Sequence, residues 1–284
     1  MSSVQSGIAS FLHGDIKSFL RLLKKAKNRN FSFYKGFDLS SERLQAIFRN
    51  RDYVIEILAL CPYFIADVSE ELRDDPDVVK AAFTAEWPDA LHYASERLLK
   101  HKYFVMELIE VCAVAFKYAS AYLRGDQDVF VHALCEHIIQ CMEEKRRSTL
   151  KVIRYTSKFL LLEHASESLK DNSMIVLAAV SANWKELEFA TENLRSNSDI
   201  VLAAINVSGN ALQFSSTDLQ NDQDVVYTAF CRDTTSFQYA SEHLKSDTNF
   251  VLRLLSYSPY CMQYVSQSVQ DNLEIKRFQS SHVY

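Results

Sequence analysis

Glycine and proline are nearly missing from this chain, with 5 and 4 residues in 284. Sheet-rich and loop-rich folds use both at their turns, so the shortage excludes most of them and leaves an all-α protein. No G-x-x-x-x-G-K-S loop or G-x-G-x-x-G fingerprint is present to cradle phosphate, and no G-x-S-x-G elbow to present a nucleophilic serine. No apolar run approaches the roughly 18 residues that a membrane-spanning helix needs. The opening MSSVQSGIAS lacks a charged stretch leading into an apolar one, which argues against a secretory signal. Cys61, Cys112, Cys135, Cys141, Cys231 and Cys261 form no C-x-x-C pair and fit neither a zinc ribbon nor a secreted disulfide framework. They read as reduced thiols of an intracellular, cytoplasmic protein. A net charge of −5 argues against a nucleic-acid partner.

What the chain does contain is a beat. A motif like Y-A-S-x-x-L closes on Leu72, Leu98, Leu123, Leu169, Leu194, Leu219, Leu244 and, as valine, Val269. The gaps are 26, 25, 46, 25, 25, 25 and 25 residues. Three residues past each anchor stands Asp75, Asp126, Asn172, Asn197, Asp222, Asp247 or Asn272, with His101 as the exception. A short carboxylate or amide there accepts from an unpaired first-turn N–H, so each marks a helix start. An i, i+1, i+4, i+5 apolar stripe follows, as in Ile200, Val201, Ala204 and Ile205.

A second helix is expected about ten residues before each anchor. Pro62, Pro88 and Pro259 fall at that point in three copies, and Asn183, Ser208, Asp233 and Ser258 stand just before it in others. A small residue (Ala94, Ala119, Ala165, Ala190, Ala240) and then a hydroxyl (Ser95, Ser120, Ser166, Thr191, Ser216, Ser241, Ser266) precede the anchor. On one continuous helix they share the anchor's face, with the hydroxyl bonding back to the carbonyl four residues earlier. Helices this short are marginal alone, so they must stack on their neighbours. The expected fold is an α-solenoid of tandem ~25-residue two-helix repeats.

The pattern L-K-x-D-x-x-V-V-L-A-A-I…A-L-x-Y-A-S-x-x-L resembles the tandem helical repeat known as domain of unknown function 4116. LKDNSMIVLAAVSANWKELEFATENL (169–194) and LRSNSDIVLAAINVSGNALQFSSTDL (194–219) are the copies closest to it, and the resemblance extends over roughly residues 50–270. It implies tandem helices, supplies no catalytic residues and allows an effector acting on a host partner.

The expected organisation is a basic amphipathic cap at 1–37, repeats over 38–272 with an irregular unit at 126–147, and a tail at 273–284. Residues 1–37 carry +6 and leave −11 for the remainder. Their apolar stripe either covers the first repeat, or Lys17, Arg21, Lys24 and Lys25 dock on an anionic membrane face; an organelle-targeting segment is a third reading. An aromatic row includes Tyr93, Tyr118, Tyr239 and Tyr264, with Phe189 and Phe214 in the same register. Each either packs on the next repeat or stands exposed as an anchor for a protein partner. His132, Cys135, Glu136, His137 and Cys141 cluster in the irregular unit, but without H-E-x-x-H an ordinary helix accounts for them better than a metal site. Lys145-Arg146-Arg147-Ser148-Thr149 fits a basophilic kinase site or simply a solvated turn. No catalytic residue, cofactor or metal is expected. The expected function is a protein-binding scaffold, with a membrane-docked protein as the alternative and an enzyme in the irregular unit third.

Overall fold

A computed structural model describes residues 19–21, 23–24, 47–85, 87–146, 159–272 and 274–277, with side chains excepted from 143 to 146. The regular elements among the described residues are all helices, and the chain divides into two units, Met1–Phe159 and Leu160–Tyr284.

Every first-helix start that the repeat register places after an anchor is a start in the structure. Asp75, Asn172, Asn197, Asp222 and Asp247 each accept two first-turn N–H groups. Asp126 caps in the same way, and Asn272 accepts from Glu274 N at 2.8 Å. His101, the exception in chemistry, also caps, its Nδ1 accepting from Phe104 N at 3.2 Å. The apolar stripes that follow are buried, as with Val225, Val226, Ala229 and Phe230 on Gln223–Arg232.

The second leg is not one helix, which corrects the expectation from spacing. It consists of a six-residue 3₁₀ segment, a break, and a single α-turn. In one repeat these are Trp184–Phe189 and Glu192–Arg195, separated by Ala190 and Thr191 in extended conformation. The small residue closes the 3₁₀ segment by donating its N–H three residues back, Ala190 N to Leu187 O at 3.3 Å. The hydroxyl residue then acts as an N-cap rather than bonding back along a helix. Ser95, Ser120, Ser216 and Ser241 accept from the N–H of the anchor leucine. Serine competes for backbone groups in this way, so it ends a helix more readily than it continues one.

The break leaves the hydroxyl residue's own N–H free to bond the preceding repeat. Ser95 N donates to Arg73 O at 3.1 Å and Ser120 N to Leu99 O at 3.0 Å in the first unit. In the second, Thr191, Ser216, Ser241 and Ser266 donate to Lys170, Arg195, Gln220 and Lys245 at 2.9–3.2 Å. The side chains add to this link: Ser95 bonds Asp74, Thr191 bonds Asp171, and Ser241 bonds Asn221. One residue past the anchor, Gln220 and Gln270 reach back to carbonyls ending their own repeat's 3₁₀ segment, Leu212 at 3.1 Å and Val265 at 2.9 Å. Neighbouring repeats are thus joined by backbone hydrogen bonds as well as by apolar burial.

In the irregular unit one helix, Gln127–Arg146, runs through where a break was expected. His137 and Ile138 stand there in place of a cap and a proline. The uninterrupted helix delivers Gln140 to the repeat before it. Gln140 Oε1 accepts from Ala113 N at 3.1 Å and its Nε2 donates to Ile109 O at 3.3 Å, serving the junction between Lys102–Val111 and Ala113–Tyr118. That junction has no side-chain cap of its own.

The third position of the described 3₁₀ segments is buried, and in five of them it is small, Ala90, Ala115, Ala211, Ser236 and Cys261, with Phe64 and Glu186 in the other two. Burial pushes the Cys261 thiol pKa up to about 12, so this cysteine stays a protonated packing group. Ser236 is fully buried and its hydroxyl has no hydrogen-bond partner. Replacing it by alanine, the residue used in three other copies, removes that uncompensated group. Ser236→Ala is expected to raise urea-unfolding stability by about 1 kcal/mol, and a loss of stability would show that the hydroxyl is satisfied.

Candidate functional site

Because each 3₁₀ segment is pinned at its start, equivalent residues recur on one surface of the second unit. Asn183 Oδ1 accepts from Lys185 N at 3.2 Å, Ser208 Oγ from Asn210 N at 3.4 Å, and Asp233 Oδ1 from Thr235 N at 3.1 Å. Beyond these caps, the second, fifth and sixth positions of successive segments open onto one groove of about 650 Å³.

The groove has one aromatic from each of four repeats: Trp184, Phe214, Tyr239 and Tyr264. Phe214, Tyr239 and Tyr264 hold the sixth position, and Trp184 the first position of its own segment. Trp184 and Phe214 stack with ring centroids 5.8 Å apart and planes at 29°. All four rings are half-buried, with part of each left open to the cleft. The polar lining is mostly neutral, with Asn210, Gln213, Thr235 and Gln238. Asn210 is held by Asp233 and Thr235, and Gln213 Nε2 donates to Asn210 O at 3.0 Å. The lining charges are Glu188 and Lys185, and the Lys185 ammonium lies 5.7 Å from the centre of the Trp184 ring.

The expected tyrosine row therefore divides. Tyr239 and Tyr264 line the groove. Tyr93 is half-buried in the first unit, its ring 6.1 Å from Trp87. Tyr118 is 9% exposed, its hydroxyl donates to Asp89, and its ring meets His92 edge-on at 4.8 Å. Burial first, then the Asp89 carboxylate, pushes its phenol pKa up. Tyr118 is thus committed to packing against the preceding repeat and is not free to anchor a partner. The register alone could have found Asn210, Gln213, Thr235 and Gln238, since they share positions two and five. Nothing in composition singled them out.

Of the basic N-terminal residues, Lys17 and Lys25 lie outside the described residues, while Arg21 and Lys24 are exposed. On the same stretch Phe19 and Leu23 are fully buried, with the Phe19 ring 6.4 Å from Phe64 of the first repeat. No helix among the described residues is long and apolar enough to cross a membrane.

The irregular unit scatters its candidate ligands. His137 is buried, which lowers its pKa, and its Nε2 is 3.8 Å from Cys141 Sγ. Cys135 is exposed, and His132 Nε2 is 3.9 Å from Glu110. Among the described residues no three histidine, cysteine or acidic side chains gather as metal ligands. Residues 147–149 of the candidate kinase site lie outside the described residues. A smaller cavity of about 270 Å³ in the first unit has Lys80 paired with Glu107, and Arg97 with Asp74 at 2.8 Å. Its charges are already matched.

The model of the family described as Domain of unknown function (DUF4116) matches residues 50–99, 150–195, 175–220, 197–244 and 222–270. Together these matches span more than half of the chain. The chain belongs to this family. The groove lies within consecutive DUF4116 copies, and the unmatched stretch 100–149 contains the helix that runs through its expected break. No curated protein and no solved structure matches the chain.

Proposed function

We propose that this DUF4116 protein is a non-enzymatic protein-binding scaffold that holds its partner in the groove of the second unit. One observation carries the proposal: successive repeats bring Trp184, Phe214, Tyr239 and Tyr264 into a single open cleft. Rigid aromatic side chains give large contact area for little lost freedom and dominate interface energetics. The buried Phe19 and Leu23 support a capping role for the basic N-terminal stretch, so they favour this function over docking on a membrane. The proposed setting is the cytoplasm, without a cofactor, and the repeat family allows an effector role on a host protein.

Cross-linking and capture with the full chain should be compared with the Tyr239→Ala/Tyr264→Ala double variant, with thermal melts confirming that the variant is folded. The expected result is at least a tenfold drop in captured partner, the equivalent of about 1.4 kcal/mol. An unchanged partner set on the folded double variant overturns the groove as the binding surface.

A further inference from the structure

We infer that the groove takes an extended, proline-containing basic segment, one that lies along the repeats in polyproline II conformation; this rests on the groove being the binding surface. Spacing, lining and charge bear on it independently. Helix layers pack about 8–10 Å apart. A polyproline II chain rises about 3.1 Å per residue with three residues per turn, so every third side chain returns to one face after roughly 9 Å. One peptide turn then meets one repeat at the three rings that share a register, Phe214, Tyr239 and Tyr264, with Trp184 stacked on the first of them. A β-extended chain returns to the same face every two residues, at roughly 6.6 Å, and drifts out of step.

The lining suits such a chain. Proline rings dock on aromatic faces, as in other aromatic-lined grooves that recognise polyproline II. The amides Gln213 and Gln238 carry both donors and acceptors, which matches a backbone whose carbonyls and remaining N–H groups are unpaired. An amphipathic helix has no such unpaired groups to offer.

Charge selects the basic class. The second unit, residues 160–284, has 8 basic and 15 acidic residues. Two of its cations, Lys170 and Lys245, are folded onto Glu167 and Glu242 with only 17% and 14% of their side chains exposed. In the groove the exposed Glu188 and the exposed Lys185, which lies over the Trp184 ring, offset each other, so the acidic excess is that of the surrounding unit. A cationic peptide is drawn to this unit, and its ammonium or guanidinium groups gain from the open aromatic faces.

The experiment is fluorescence anisotropy of the full chain with labelled peptides of four Lys-Pro-Pro, four Glu-Pro-Pro or four Lys-Gly-Ser triplets. Lys-Pro-Pro should bind, Lys-Gly-Ser at least tenfold more weakly, and Glu-Pro-Pro not at all. Trp184→Ala should weaken Lys-Pro-Pro about tenfold, an effect of the size expected for a desolvated cation–π or stacking contact. Gln238→Arg, at an exposed position that tolerates substitution, should do the same by like-charge repulsion if Trp184→Ala perturbs folding. Equal binding of the two lysine peptides, or Lys-Pro-Pro binding insensitive to both variants, overturns the inference. If Glu-Pro-Pro or a helical peptide binds instead and Gln238→Arg alters it, the ligand class falls and the groove stands. If no peptide binds and Gln238→Arg leaves partner capture unchanged, both fall.

Discussion

Raising the pH from about 5 to about 8 is expected to cost the second unit about 2–3 kcal/mol of stability through a single carboxyl group. Glu186 occupies the third position of its 3₁₀ segment, where the other described repeats carry alanine, serine, cysteine or phenylalanine. It is 1% exposed, and its two oxygens accept from Leu161 N at 2.8 Å and Leu162 N at 2.9 Å. Those N–H groups open the helix Leu161–His164, whose cap residue Leu160 has no side chain able to serve them. A residue from the next repeat caps this helix instead.

Burial penalises the charged carboxylate more than the two N–H groups favour it, and Glu163 adds to the penalty. The pKa rises from 4.5 to about 7. A raised pKa means the folded state holds the proton more tightly than the unfolded chain does. The contribution is therefore fully present below about pH 4.5 and is lost as pH climbs through about 7. Glu186→Gln should flatten this slope whatever it does to absolute stability. The chain has two tryptophans, so a Trp87→Phe background leaves Trp184, two residues from Glu186, as the reporter in urea titrations. A flat wild-type profile, or an equal slope in the glutamine variant, would falsify this role.

Gly209→Ala is expected to destabilise the second unit by about 2–3 kcal/mol. A Cβ at position 209 would lie 2.3 Å from Ala229 O, 2.9 Å from Asp233 Cβ and 3.0 Å from Asp233 N. The first of these belongs to the end of the next repeat's long helix and the other two to the cap that follows it, so backbone would have to move. Alanine's smaller conformational entropy loss favours the substitution by at most about 1 kcal/mol, which the clash exceeds. The same register holds Trp184, Thr234 and Pro259 in other repeats, so the close approach is particular to this one. Thr234→Ala is the control and should change stability by no more than about 0.5 kcal/mol. Comparable effects of the two substitutions in urea titrations read at Trp184 would show that the backbone contact yields.

Much of the architecture was legible because its signals are local. An N-cap acts on N–H groups two or three residues away, and an apolar stripe declares itself within one helix, so Asp75, Asn197 and Asp247 announced their helices from sequence. His101 shows the limit. Its type looked wrong for the register, yet its ring nitrogen accepts the same first-turn N–H. The second leg was misread for a related reason. A helical wheel puts Ala190, Thr191 and Leu194 on one face only if the backbone continues as a helix, and wheel geometry cannot weigh that against a hydroxyl capping a new turn.

The candidate surface was half legible. Tyr118 and Tyr239 occupy equivalent positions, and sequence alone treats them alike. Asp89 in the preceding repeat draws Tyr118 into a partly buried hydrogen bond, whereas Tyr239 lines the cleft together with Phe214 and Tyr264. That difference lies one repeat away in the chain.

By itself the sequence determined the length of the repeat, the place of its helix starts and the identity of its buried stripes, since these follow from hydrogen bonds and periodicity inside one copy. Only the tertiary structure decided where the second leg breaks, which aromatics remain open, and that Glu186 serves a helix it does not belong to. Each of those depends on the donor, acceptor or space that an adjacent copy presents, and no local pattern encodes a neighbour's offer.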